Sequence, residues 1–277
     1  MELTHISLVE KCMNGKIYVF LLLISFSCQN IFSQSEIGPI MTDRPGLGES
    51  SQIVPDGYFN IETGLNLEID KSNMLEVYNM SWNNLTLRWG VFKEFELRFA
   101  VNVNQNFSKS GNQFSSTGIG LSPWSLGFKA RVSHQNGIIP RTALLGNLAI
   151  PFGSSSFLKT SYIAPSMLIP MEWDLNKVVL LTINTGAFWN GEDGIPEYFS
   201  SLGFDFNLPQ ATVVFAEAYM NMTNNDDFAP AFNIGIVKRV TPNFQVDLSA
   251  GIGLNEIAAY GFVNGGVSFR LPVKPKK

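Results

Sequence analysis

Phe59-Asn60-Ile61-Glu62-Thr63-Gly64-Leu65-Asn66-Leu67-Glu68-Ile69-Asp70 changes character at every residue. Side chains of an extended chain point to opposite faces with a period of two. Phe59, Ile61, Leu65, Leu67 and Ile69 therefore share one face, and Asn60, Glu62, Asn66, Glu68 and Asp70 share the other. The same beat returns where Phe95, Leu97, Phe99, Val101 and Val103 alternate with Glu96, Arg98, Asn102 and Asn104. A strand with one oily and one charged edge divides two solvents. Repeated along an exported chain, this pattern describes an all-β fold, an antiparallel transmembrane barrel that is apolar outside and polar within.

Working outward from that stretch, about twelve strands are expected, at 57–70, 74–91, 95–105, 120–132, 141–151, 162–173, 178–189, 197–207, 211–221, 230–239, 244–253 and 260–271. Most reach the roughly 9–11 residues of a tilted spanning strand, beyond the roughly 5–6 of a soluble one. Pro165 and Pro170 cannot donate to a ladder, so a bulge or a broken pairing is expected in the strand that holds them. Connection lengths sort by parity. The even-numbered turns are tight at Phe92-Lys-Glu94, Asp174-Leu-Asn-Lys177, Leu208-Pro-Gln210 and Val240-Thr-Pro-Asn243, with 133–140 a little longer. The odd-numbered loops 106–119, 152–161, 190–196, 222–229 and 254–259 are longer and polar, and only Lys71-Ser-Asn73 is short. Outer-membrane barrels show this asymmetry, with short turns on the periplasmic side.

Composition agrees. The 277 residues carry a formal charge of −4, which argues against nucleic acid as a partner. Charged residues make up 15% against a usual figure of about 25%, while 22 Phe leave many rings for an outer wall. Residues 1–33 read as a secretory signal: Lys11 and Lys16 precede an apolar run from Ile17 to Phe26 that is too short to span a bilayer as a helix. Cleavage is expected at Ser33, in preference to lipidation at Cys28. Both cysteines, Cys12 and Cys28, then leave with the signal, and no disulfide or thiolate metal site remains. Residues 34–56 form an irregular leader broken by Pro and Gly, 57–271 the barrel, and 272–277 a polar tail.

Parity assigns the faces. The outward set includes Phe59, Leu65, Leu87, Trp89, Leu97, Phe99, Phe128, Leu181, Ile183, Phe204, Phe206, Phe232, Ile234, Val246, Leu248 and Phe269. Trp82, Trp89, Trp124, Trp173, Trp189, Tyr198 and Tyr260 are candidates for interfacial belts, where one end of the ring is apolar and the other polar. The inward set holds Glu62, Glu68, Arg88, Glu96, Arg98, Lys129, Arg131, Glu172, Glu217, Asp247 and Arg270. So many charges suit a wet lumen rather than a soluble core. The tight turn after Arg88 brings it close to Glu96 and Arg98, so an Arg–Glu–Arg cluster is expected on the inner wall, either as a structural clamp or as part of a solute path.

Thr42-Asp43-Arg44-Pro45, Glu49-Ser50, Val54-Pro55-x-Gly57 and Glu62-x-Gly64 resemble the start of the bacterial outer-membrane family described as putative MetA-pathway of phenol degradation. The likeness continues through Leu85-x-Leu-Arg88-Trp-Gly90, Phe95-Glu-Leu-Arg98, Ala143-Leu-Leu145, Pro151-x-Gly153 and Asp247-Leu-Ser-Ala-Gly251. The resemblance implies an outer-membrane barrel that passes small, often apolar or aromatic molecules. The ending after Phe269 departs from the common terminal aromatic, so the assembly machinery is expected to read an internal signal at Val267-Ser-Phe269.

The leader has two physical readings. It either tucks into the lumen, with Arg44 pairing to Glu62 or Glu217, or caps the periplasmic rim. Candidates for the solute path are Arg44, Glu62, Arg88, Glu96, Arg98, Arg131, Glu172, Glu217 and Asp247, together with the leader motif Thr42, Asp43, Arg44, Pro45, Glu49 and Ser50. Catalysis is not expected. His134, the one histidine after the signal, falls on a connection, and no Gly-x-Ser-x-Gly elbow is present. The run 224–227 lacks the ligand spacing of a calcium loop, Gly118-Ile-Gly120 precedes no helix, and no metal or cofactor site is expected. The functional reading is an outer-membrane channel working by passive diffusion, with outer-membrane lipid, a small solute and the assembly machinery as partners. The rival is an adhesive or structural barrel with a closed lumen.

Overall fold

The computed structural model describes residues 37–72, 75–111, 113–116, 118–223, 228–256 and 260–273. The expected signal with both cysteines, the run 224–227 and the end of the tail lie outside the described residues.

Twelve long strands form the wall: β1 (Tyr58–Ser72), β2 (Leu75–Phe92), β3 (Phe95–Ser110), β6 (Trp124–Ser133), β7 (Arg141–Ile150), β8 (Ala164–Asp174), β9 (Val179–Trp189), β10 (Pro196–Leu208), β11 (Thr212–Met222), β12 (Phe228–Thr241), β13 (Phe244–Gly253) and β14 (Tyr260–Pro272). Two short strands, β4 (Gln113–Ser116) and β5 (Gly120–Leu121), pair back onto β3. Each long strand pairs antiparallel with its neighbours, and β1 pairs with both β2 and β14, so the sheet closes as a twelve-stranded barrel. Closure leaves no open edge, as a spanning sheet requires.

Two strands differ from their expected bounds. The strand expected at 120–132 divides at Pro123, which has no N–H and a fixed φ; β5 ends before it and β6 begins after it. Strand β3 runs to Ser110, past its expected end at 105, because the polar loop folds back on it as β4. At Pro170 the outcome is a broken pairing without a bulge. Thr142 pairs with Met171 and Leu145 with Leu168, in one register, while the two positions between them are unpaired.

The faces follow parity. Leu65, Leu97, Leu126, Leu148, Met167, Leu202, Ile234, Leu248 and Val263, each on a different strand, are exposed on the outside. Large contiguous apolar surface of this kind is rare on a soluble monomer. The largest buried side chains include Arg88, Lys129, Gln245, Glu62, Glu96 and Glu172. Such a distribution inverts a soluble core and fits a wall between lipid and a polar interior. Trp82, Trp89 and Tyr198 are exposed as belt residues would be. Tyr260 is a correction. It lies on the inward parity of β14, where its hydroxyl meets that of Tyr219 at 2.5 Å and its ring packs against Tyr219, Ala231 and Phe262. Its nearness to a strand end pointed to the belt, but parity decides its face.

Candidate functional site

Inside the wall, the leader from Pro39 onward lies against inner-face side chains of almost every strand. Nothing regular is available to residues 39–56, because Pro39, Pro45 and Pro55 interrupt any ladder or helix. Their backbone polar groups therefore need side-chain partners, and the inner wall supplies them. The Asp43 N–H donates to Glu62 Oε2 (3.1 Å), Leu47 and Gly48 N–H to the two oxygens of Glu217 (3.0 and 2.7 Å), and Glu49 N–H to Asn184 Oδ1 (3.1 Å). Ser51 N–H donates to Glu172 Oε1 (3.0 Å), and Val54 N–H to Glu96 Oε2 (2.7 Å). In return, Arg131 Nη1 donates to the Ser51 carbonyl (2.8 Å) and Arg88 Nη2 to the Gln52 carbonyl (3.0 Å).

A charge cluster holds the leader's first half. Arg88 Nη1 lies 3.0 Å from Asp43 Oδ2, Lys129 Nζ 2.7 Å from Asp43 Oδ1, and Arg98 Nη1 2.5 Å from Asp43 Oδ2. Glu49 adds contacts to Arg98 and Lys129, both at 3.3 Å. Arg88 also meets Glu62 (2.9 Å) and Glu96 (2.7 Å), and Arg98 meets Glu96 at 3.3 Å. The expected Arg–Glu–Arg group thus exists, with Lys129 and two leader carboxylates inside it. Burial pushes the Asp43 carboxyl up, yet Arg88, Lys129 and Arg98 outweigh that and hold it well below the usual carboxylate range. Burial raises the Glu49 carboxyl, with Arg98 opposing.

Arg44 is a second correction. It pairs with neither Glu62 nor Glu217. Its Nη2 donates to Asp247 Oδ1 (3.1 Å) and Asn264 Oδ1 (2.7 Å). Glu62 is already held by Arg88 and the Asp43 N–H, and Glu217 by two leader N–H groups. The guanidinium rests on Gly64 and Gly266, which face each other across the β1–β14 seam; a Cβ at either would stand 2.3 Å from Nη2. The glycine of Glu62-x-Gly64 therefore clears a seat for Arg44.

Gly48 makes a similar close approach. A Cβ there would meet Glu217 Oε1 at 2.4 Å, Asn184 Nδ2 at 2.7 Å and Ser201 Oγ at 2.8 Å, all side-chain atoms of the wall. Gly48→Val is expected to break the hydrogen bonds from residues 47 and 48 to Glu217. Each such bond to a charged group contributes about 1.5–3 kcal/mol, so amide exchange at Leu47 should accelerate about tenfold or more while exchange in β11 stays unchanged. Equal protection at Leu47 would mean the leader is not held there.

Glu172 lies on β8, where Arg141 meets it at 2.9 Å and Ser50 and Ser51 donate to it. All the expected path residues except Asp247 and Arg44 thus converge on one of two leader anchorages, the charge cluster or the Glu172–Glu217 arc. Several leader partners were not singled out from sequence: Asn184, Asn264, Gln245 (whose Nε2 donates to Thr42 Oγ1 at 2.7 Å) and Arg239 (whose Nε donates to the Ile40 carbonyl at 3.2 Å). Strand parity was their available signal, since each shares the inward beat of its strand.

The interior at the opposite, loop end has a different lining. Phe199, Tyr219, Ala231, Tyr260 and Phe262 pack as one apolar group on β10–β14. Across the β14–β1 seam the lining turns acidic, because Glu68 is registered with Phe262 and Asp70 with Tyr260. Asn79 Nδ2 donates to both carboxylates, at 3.2 and 2.9 Å. His134 belongs to neither region; it is exposed on its connection with Nε2 2.6 Å from Glu94 Oε1.

The sequence matches the model of a family described as "Putative MetA-pathway of phenol degradation" over residues 42–271. Among solved structures, an outer membrane channel from Pseudomonas putida F1 superposes with a TM-score of 0.60 at 12% identity, over 82% of this chain and 99% of that one. The transport unit of the autotransporter AIDA-I from Escherichia coli gives 0.53 at 9% identity, over 76% and 89%. The translocator domain of the autotransporter NalP from Neisseria meningitidis gives 0.50 at 10% identity, over 76% and 88%. At these identities the likeness concerns the fold. No curated protein matches the sequence.

Proposed function

Because the chain belongs to the family described as "Putative MetA-pathway of phenol degradation", we propose that it is an outer-membrane channel through which small molecules, apolar and aromatic ones among them, diffuse down their gradients. The observation that carries this reading is the closed barrel itself, apolar on its outer face and lined within by charged and amide side chains. The Pseudomonas putida channel of the same fold supports it. The loop-end lining supports the solute class: an apolar group of Phe199, Tyr219, Tyr260 and Phe262 lies beside the Glu68–Asp70 carboxylates on the inner wall. Outer-membrane lipid meets the outer face, and the barrel assembly machinery inserts it.

In this reading the leader is a lumen plug. Its hydrogen bonds reach strands from β1 through β14, more than a cap at the rim would make. The same contacts favour a second reading, a barrel whose lumen stays closed and whose long loops bind partners. Purified protein in liposomes separates the two. A channel gives swelling with small sugars, amino acids or monoaromatic solutes and unitary currents in planar bilayers. A folded barrel that is silent in both assays supports the closed reading.

A further inference from the structure

Ion pairs and hydrogen bonds tie the leader tightly to β2, β3 and β6 through Asp43 and Glu49. Glu172 on β8 and Glu217 on β11 hold its next turn. Between and below those two anchors, the leader stands off the wall. A cavity of about 100 Å³ opens there, walled on one side by the leader between Met41 and Ser50 and on the other by β9–β12, with Glu172 of β8 and Gln245 of β13 at its margins. Its floor is apolar, made of Val213, Phe215 and Val237, and Gly203 contributes no side chain. Two charges project into it from either side of that floor, Asp205 on β10 and Arg239 on β12. Among the described residues, no hydrogen bond or ion pair within 4.0 Å reaches the Asp205 carboxylate, and Arg239 is engaged only by the Ile40 carbonyl and the Met41 sulfur.

We propose that the passage past the docked leader runs through this cavity along β9–β12, and that Asp205 and Arg239 are the residues that set which charged or dipolar solutes traverse it. The inference rests on the channel reading above. Its physical basis is contrast. Most other charges at this level are paired at close range: Arg88, Arg98 and Lys129 with four carboxylates, Glu172 with Arg141, Asp247 with Arg44, while Arg131 donates to the Ser51 carbonyl under the leader. Glu217 is satisfied by two N–H groups. Groups already paired offer little to a passing solute. Asp205 and Arg239 face open space across a low-dielectric floor, where a charge acts more strongly than in bulk water. They stand on separate strands with β11 between, one of each sign on either side of the apolar floor.

The test uses the full mature barrel in planar bilayers under a salt gradient. Asp205→Asn is expected to lower the cation-to-anion permeability ratio at least twofold, and Arg239→Gln to raise it at least twofold. Opposite shifts from two single substitutions are hard to obtain from a general disturbance. A third variant checks the route without changing charge: Thr182→Cys, on the cavity wall, should make the current sensitive to block by a bulky charged thiol reagent, since Cys12 and Cys28 lie ahead of the leader. Folded, conducting variants with unaltered reversal potentials and a Thr182→Cys current that resists the reagent would overturn the passage while leaving the channel standing. A wild-type barrel that conducts nothing would overturn the channel reading and this inference together.

Discussion

Single-channel conductance is expected to rise severalfold when residues 34–50 are deleted, and Asp43→Asn is expected to reproduce much of that rise. With the leader in place, Arg88, Arg98 and Lys129 face Asp43, Glu49, Glu62 and Glu96. Asp43 alone touches all three cations, and it is nearly buried. Removing one partner of a buried pair costs about 3–5 kcal/mol when the other charge is left uncompensated; here Glu49, Glu62 and Glu96 still face the three cations, so the cost falls to about 3 kcal/mol or less. An amide in place of the carboxylate therefore shifts the docking equilibrium by a factor of up to about a hundred, at about 1.4 kcal/mol per decade. The leader's remaining hydrogen bonds are individually weaker. Acid does not mimic the variant at first. Asp43 is held well below its ordinary value of 3.8, so its contribution is full above that pH and is lost only as pH falls through the lower docked value. Glu49 is raised from 4.5, so its protonation on mild acidification favours docking. Conductance that falls or holds steady from pH 7 to about 5, yet rises in Asp43→Asn, fits this account. A deletion variant with wild-type conductance would remove the plug.

The wall was legible because its signal is local. A period of two needs only neighbours, and Phe59 to Asp70 or Phe95 to Asn104 display it without reference to the rest of the chain. The break at Pro123 was less visible, because strand-like residues continue on both sides of it. Partners across the interior were harder still. They depend on register, and the ladder shifts between Glu62 and Asn66, Ser81 and Asn83, and Gly90 and Phe92. One residue of slip redirects every later side chain. Arg44 belongs to no ladder at all, so no period places it: expected at Glu62 or Glu217, it lies instead at Asp247, on a strand about 200 residues along the chain. The inner-wall cluster around Arg88 was readable because a tight turn at Lys93-Glu94 places β2 against β3 with little freedom. Asp205 sits between Phe204 and Phe206 and carries the inward parity, but a lone carboxylate in an aromatic strand has no motif to draw attention to it.

Arg88→Met is expected to destabilise the barrel by about 3–5 kcal/mol, the range for orphaning a buried ion. Arg88 is wholly shielded. Its guanidinium donates to both oxygens of Glu96 (2.7 and 3.0 Å), to Glu62 (2.9 Å) and to the Gln52 carbonyl (3.0 Å), and lies 3.0 Å from Asp43. Methionine fills much of the same volume, so packing is not the main loss; three carboxylates losing their shared cation is. The bidentate fork on Glu96 also fixes β2 against β3, where Arg88 is registered with Arg98. Those two like charges lie across one ladder and tolerate each other only because Glu96 and Asp43 stand between them. Lysine at 88 should therefore restore charge without restoring the fork, and recover only part of the stability. The measurement is the temperature at which the folded band gives way to the unfolded one on unboiled gels in detergent. Arg88→Met should show the largest drop, Arg88→Lys an intermediate one, and Arg88→Met combined with Glu96→Gln a partial recovery, since one of the orphaned carboxylates is neutralised. If Arg88→Met melts with the wild type, the cluster contributes no net stability and serves only to seat the leader.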